Sequence, residues 1–240
     1  MWKKIAVVTI GLMLSGVAVL AAWYQIDGQP IPEAAGFLQG DGFTSAVEAD
    51  GSLVFTPSAP NGRGILIMHG ALIKPLAYAK AGAYFAARGY LVYVPNGPAR
   101  LSINAIDSAA ARLKAWPVEA WYMIGHSMGG FTSLELLARH KPKVLAIALW
   151  ACSMPADFTG TQPPILFLYG DRDGLLPPER LADARSRLPS TTRFELVSGA
   201  NHQGFALYSH QFFDDEAAIS WVEQTDIALA RTATFFAAEP

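Results

Sequence analysis

The stretch AWYMI-GHSMGG, residues 120–130, decides how the rest of the chain is read. Ala120 to Ile124 form a short apolar run, as expected of a strand buried on both faces. Gly125-His126-Ser127-Met128-Gly129 follows, a G-x-S-x-G pattern, and a helical pattern continues over 128–140. A serine presented on so sharp a strand-to-helix turn must adopt strained backbone dihedrals. Residues two before and two after it crowd each other, and glycine relieves that crowding. The same turn aims the backbone N–H of Met128, at a helix N-terminus, at any negative charge that develops beside Ser127.

Outward from this turn the pattern alternates. Apolar runs at 64–68, 90–94, 144–150 and 164–169 read as further buried strands, and the more polar 192–197 suits a sheet edge. Helical stretches lie at 75–88, 102–115, 128–140 and 178–187, with a long one from about 215 to 236. Asp50-Gly51 between FTSAVEA and SLVFTP is a hairpin signal. Strand–helix alternation with short connections predicts an α/β fold: a mostly parallel sheet with helices on both faces. Residues 43–240 make one domain, and the Gly- and Pro-rich residues 25–42 read as a linker.

Residues 1–24 differ from everything after them. Lys3 and Lys4 precede an apolar run from Ile5 to Tyr24 with no further charge until Asp27. About 20 apolar residues are enough to span a bilayer, and the leading lysines keep the tip cytoplasmic. The expectation is an N-terminal transmembrane helix that anchors the domain outside the cytoplasm. A cleaved signal peptide, with small residues near Val19-Leu20-Ala21, is the alternative, and it would leave a periplasmic or secreted domain.

Composition removes other classes. With 52% hydrophobic and 16% charged residues the chain is not disordered, and a net charge of −2 without a basic cluster leaves no footprint for nucleic acid. Cys152 is the single cysteine, which excludes an internal disulfide framework and multi-cysteine metal signatures. No metal or nucleotide motif is present, so no cofactor is expected. Asp214, Asp215 and Glu216 read as the solvated acidic start of the last helix.

A serine hydroxyl needs a base, and the base an orienting acid. Of five histidines, His202 follows the last strand in SGANHQGF, at the same sheet edge as Ser127; it is the expected base, with His210 as the alternative. His126 is expected to pack beneath the turn, His69 to brace its loop, and His140 to be exposed at a helix end. Asp173, in GDRDG after strand 164–169, is the expected acid; Asp171 is read as a turn cap or a partner of Arg172, and Asp157 as a third option. The second donor to an oxyanion is expected from the loop after the first core strand, at Ala71 or Leu72. Leu175, Leu176, Phe205 and Tyr208 are candidates to line a substrate pocket, whereas Trp150 reads as core. The dozen or so residues from Ala151 to Pro163 are too few for an inserted helical cap, so the site should be open to solvent.

The order Ser…Asp…His, with MHGALIKPLAYA, RGYLVYVP, IGHSMGG, YGDRDGLLPP and GANHQGF, resembles the α/β-hydrolase superfamily, in particular its small cap-less bacterial branch. The resemblance covers about residues 60–238. It implies a sheet of about eight strands starting with the hairpin, a Ser127–Asp173–His202 triad, and an oxyanion hole at Ala71 and Met128. The glycine-rich HGGG motif of hormone-sensitive-lipase-like esterases is absent, and a serine nucleophile argues against dienelactone-hydrolase chemistry. The expected activity is cleavage of small-molecule or lipid carboxylic esters through an acyl-enzyme. Acyl transfer or thioester cleavage with the same triad is the alternative within the fold. A membrane-tethered binding protein without catalysis is the alternative outside it.

Overall fold

The computed structural model describes residues 23–239 and Gly16. Eight strands form one sheet in the order β1-β2-β4-β3-β5-β6-β7-β8. They are β1 Phe43–Val47, β2 Leu53–Pro57, β3 Arg63–Met68, β4 Leu91–Val94, β5 Ala120–His126, β6 Val144–Trp150, β7 Ile165–Gly170 and β8 Arg193–Val197. The β1–β2 hairpin and the β2–β4 pairing are antiparallel, and every pairing from β4 to β8 is parallel. Each observed strand lies within two residues of its expected span.

Five α-helices cover the sheet: α1 Ala79–Ala86, α2 Ile106–Ala115, α3 Met128–His140, α4 Pro178–Ser186 and α5 Trp221–Ala238. Strand side chains alternate between two cores. Tyr122 and Ile124 of β5, with Ala146, Ala148 and Trp150 of β6, pack with Phe85 of α1 and Phe235 and Phe236 of α5. Trp121, Met123, Ile147 and Leu149 pack on the opposite face with Leu113 of α2, Leu134 of α3 and Ala184 of α4. Burial on both faces is why these strands read as unbroken apolar runs. The edge strand β8, half open to solvent, does not.

The last helix begins later than expected, at Trp221. Ser220 caps it, its hydroxyl accepting from the N–H of Glu223. Asp214, Asp215 and Glu216 therefore precede α5 by several residues and are not its first turn. The expected helices at 75–88 and 102–115 each open with one 3-10 turn, Pro75–Tyr78 and Ser102–Ala105.

The stretch expected as a linker lies against the domain from Asp27 onward. Ile31 N–H donates to the Leu207 carbonyl at 3.0 Å, Ser209 N–H to Gln29 at 2.8 Å, and Lys74 N–H to Gly28 at 3.2 Å. Asp27 is buried, and its carboxylate accepts from the Trp23 indole N–H, from the Phe212 N–H and from the ring of His210. Pro32–Leu38 continues as a 3-10 helix with Ala34 buried. The expected transmembrane helix falls on residues 1–22, outside the described region apart from Gly16. Among the described residues no helix is long and apolar enough to cross a membrane.

Removal of the Asp27 carboxylate should release this strap. Asp27→Ala leaves three part-buried donors without their acceptor and is expected to cost about 1–3 kcal/mol. Thermal unfolding should show the loss, and limited proteolysis should show earlier cleavage between residues 23 and 38.

Candidate active site

Ser127 sits between β5 and α3 at φ 54°, ψ −122°, a left-handed conformation that a non-glycine residue adopts only under constraint. The constraint is visible on both sides. Ser127 N–H donates to the Trp150 carbonyl of β6 at 2.9 Å, and its own carbonyl accepts from Gly130 N–H at 3.1 Å. A Cβ on Gly125 would come within 2.5 Å of the Gly129 carbonyl oxygen, so only glycine lets strand and helix close on the serine. The expectation of a strained glycine-flanked elbow therefore matches the geometry.

His202 lies in the loop after β8, and Asp173 in the loop after β7. Nδ1 of His202 is 2.9 Å from Asp173 Oδ2 and 3.1 Å from Oδ1, and both side chains are almost completely buried. Asp173 Oδ1 also accepts from the N–H groups of Leu175 and Leu176, at 2.9 and 2.8 Å. With Nδ1 turned to the carboxylate, the other ring nitrogen, Nε2, is buried and makes no hydrogen bond to Ser127 or to any other group among the described residues. The structure thus pairs the imidazole and the carboxylate and leaves one imidazole nitrogen uncommitted.

Ser127 and His202 are linked through His126. Its Nε2–H donates to the His202 carbonyl at 3.1 Å, and the two imidazole rings are 5.0 Å apart. A carbonyl can only accept, so Nδ1 of the neutral His126 is the acceptor, here of the Tyr78 hydroxyl at 2.8 Å. Tyr78 in turn accepts from Gly70 N–H at 2.9 Å. One chain of hydrogen bonds therefore ties the loop after β3, the Ser127 turn and the His202 loop together. Burial, with the neighbouring His202 adding to it, holds the His126 pKa well below the usual histidine value.

The loop after β3 carries one donor with no acceptor among the described residues. Gly70 N–H is spent on Tyr78, Leu72 N–H on the Arg100 carbonyl at 2.7 Å, and Ile73 N–H on the Gly70 carbonyl at 3.3 Å. Ala71 N–H is left, which removes Leu72 as the alternative. A Cβ on Gly70 would stand 3.3 Å from that of Ser127, so this loop lies directly over the serine. Met128 N–H opens α3 and has no acceptor within the helix.

The remaining candidates resolve as follows. His210 is bonded to Asp27, and Asp157 accepts from Thr159 N–H on the surface, so neither joins the His202–Asp173 pair. Asp171 accepts from Gly199 N–H rather than pairing with Arg172. His140, expected exposed, contacts Asp107 at 2.7 Å and is only partly exposed. His69 is buried as a loop brace, its Nδ1–H donating to Gly70 at 2.7 Å and its Nε2 accepting from Gly97 N–H at 3.2 Å. Leu176 is buried and Leu175 half-buried beside Asp173. Phe205 and Tyr208, candidates for a pocket wall, are both buried in the core, Phe205 stacked on Trp150. A cavity of about 550 Å³ lies behind the His202 loop, reached by Tyr208 and Gln203 and not by Ser127.

Sequence reasoning missed Tyr78 and Asp214. Asp214 Oδ1 accepts from the N–H groups of Gly174 and His202, both at 3.1 Å, and Oδ2 from Gln203 N–H at 2.8 Å. It clamps the Asp173 loop to the His202 loop. No spacing rule signals either residue, since each partner is remote in sequence. Among the described residues no group of three or more His, Cys, Asp or Glu side chains is placed to hold a metal ion.

A family model described as the alpha/beta hydrolase family matches residues 64–226, and the chain belongs to that family. A search of curated proteins finds no match. Among solved structures, a CIB-like hydrolase from Thermoplasma acidophilum superposes with TM-score 0.59 at 20% identity, over 80% of this chain and 99% of that one. Naproxen esterase, a carboxylesterase from Bacillus subtilis, gives TM-score 0.59 at 15% identity over 85% and 94%. A serine hydrolase without a lid from Xanthomonas campestris gives 0.50 at 16% identity over 69% and 88%. At these identities the likeness is one of fold, and it includes cap-less members.

Burial depresses the His69 pKa from 6.5 to about 4, its hydrogen bond to Gly70 opposing the shift only in part. Between these two values the unfolded chain takes up a proton that the folded chain refuses, so stability falls as pH drops from about 6.5 towards 4. Urea unfolding across this range should show the loss. His69→Gln, which keeps a donor and an acceptor, should make the slope shallower, with the contribution of His126 left in place.

Proposed function

We propose that this hydrolase-family chain is a serine esterase that cleaves carboxylic esters through an acyl-enzyme on Ser127. The observation that carries the reading is the buried His202–Asp173 pair, with one imidazole nitrogen uncommitted and tied through His126 to the strained Ser127 turn. As Ser127 Oγ attacks the ester carbonyl, its proton passes to His202 Nε2 and Asp173 stabilises the imidazolium. The tetrahedral oxygen is held by the N–H groups of Ala71 and Met128, the donors that the fold leaves unspent beside the serine. Collapse expels the alcohol, protonated by His202, and water then releases the acid with His202 again as base. Catalytic hydrogen bonds are often long in unliganded enzymes and tighten around substrate, which fits a Nε2 without a partner here.

The short β6–β7 connection leaves the carboxyl ends of the strands without a cap, which suits ester substrates of varied size. We assign the domain to the outside of the cytoplasm, held by the apolar residues 5–24.

Ser127→Ala should abolish labelling by a fluorophosphonate probe and lower kcat/KM on a short-chain p-nitrophenyl ester by about 10⁴-fold or more. Asp173→Asn should lower kcat while leaving probe labelling slow but measurable. Labelling that survives in Ser127→Ala would overturn the assignment.

A further inference from the structure

A second cavity, of about 510 Å³, opens between the N-terminal strap and the β1–β2 hairpin. Its walls are largely apolar: Leu38, Val47, Leu53 and Leu76, with the ring of Tyr24. Its polar lining is Gln25, Asn96 and two charged side chains, both of them cationic. Lys74 lines it, and so does Arg100, which is buried at 6% exposure.

Arg100 is an unusual cation. It makes no salt bridge with any carboxylate among the described residues, and residues 1–22 contain no Asp or Glu. Its Nη1 donates to the backbone carbonyl of Asp27 at 3.3 Å, its guanidinium carbon lies 3.5 Å from the centre of the Tyr24 ring, and its Nε is buried without an acceptor among the described residues. The Asp27 carboxylate is committed to Trp23, His210 and Phe212 and does not neutralise it. Buried charges in proteins are normally paired, because desolvation of a lone ion is costly. Ala99 and Arg100 are, moreover, both left-handed non-glycine residues, at φ 58° and 55°. Strain held at two consecutive residues around an unpaired guanidinium points to a function. On the same wall Asn96 Oδ1 is a buried acceptor without a donor, while its amide nitrogen is committed to the Asp50 carbonyl.

We propose that this cavity is a binding site for an anionic amphiphile. The carboxylate or phosphate sits on Arg100 and Lys74, the apolar tail runs along Leu38, Leu53 and Leu76, and Asn96 Oδ1 receives a hydroxyl beside the head where the ligand has one. A planar guanidinium with a free N–H is suited to a carboxylate or phosphate oxygen. The site is separate from the Ser127 triad and requires no catalysis. It is nonetheless joined to the candidate oxyanion loop, because the Arg100 carbonyl accepts from Leu72 N–H, next to Ala71. Occupation of the cavity therefore bears on the position of that loop.

The test is photocrosslinking of the full chain in phosphatidylcholine vesicles with three long-chain probes, each bearing a mid-chain diazirine. Their heads are a carboxylate, an alcohol and a trimethylammonium group. The carboxylate probe should label peptides from residues 38–53 and 74–76, with the other two giving little adduct there. Arg100→Gln should lower that adduct by about tenfold or more, as removal of one side of a buried charge pair does. Val47→Glu, at an exposed position on the cavity wall, puts a like charge at the mouth without touching the core and should lower it several-fold. Competition separates the ligand sources. Suppression by an unlabelled fatty acid points to a free acid, and suppression by a lysophosphatidate to a lipid headgroup; both support the site. Equal labelling by the three heads, labelling unchanged in both variants, or suppression by inorganic phosphate would overturn it. No turnover is read, so a failed ester assay leaves the result interpretable.

Discussion

His126, the residue beside the candidate nucleophile, holds the site together by remaining a neutral imidazole. It can donate to the His202 carbonyl through Nε2 and accept from Tyr78 through Nδ1 only while it carries a single proton. Protonation would put a second donor against the Tyr78 hydroxyl and a charge into a fully buried pocket. Burial opposes this, holding the His126 pKa well below the usual histidine value. Three loops that share no local sequence thus acquire a common frame, and the strained dihedrals of Ser127 are over-determined by that frame.

Two carboxylates extend the same logic outward. Asp214 gathers backbone N–H groups from the Asp173 and His202 loops, so the carboxylate and the imidazole are registered to each other by a third side chain. Asp27 does the equivalent for the N-terminal strap, joining residues 23–27 to the loop that carries His210 and Phe212. The strap also meets the loop after β3, through Gly28 and Lys74, and so spans both flanks of the site. The chain thus uses its own N-terminal residues as bracing for the loops around Ser127 and His202.

Legibility followed burial and locality. β3, β5, β6 and β7 were readable because burial on both faces demands unbroken apolar runs, and β8 because an edge strand does not. The candidates Ser127, Asp173 and His202 could be picked out because each follows the end of a strand, and their chain order has few alternatives. The start of α5 was misplaced because Asp214-Asp215-Glu216 looks like a helix N-terminus locally, while its first carboxylate is drawn into backbone bonds across the fold. The Gly- and Pro-rich residues 25–42 looked like a linker because their order comes from distant partners and not from their own pattern.

The alternation of strand and helix, the glycine-flanked turn and the set of residues able to serve as nucleophile, base and acid are legible in the chain before it folds. Those depend on periodicity, backbone sterics and chemical type, all of which act within a few residues. What the folded chain adds is the pairing of His202 with Asp173 and of His210 with Asp27, the commitment of Leu72 N–H to the Arg100 carbonyl, and the burial of Arg100 away from every carboxylate among the described residues. Such choices turn on which donors and acceptors the fold has already satisfied, a property of groups brought together from far apart along the chain.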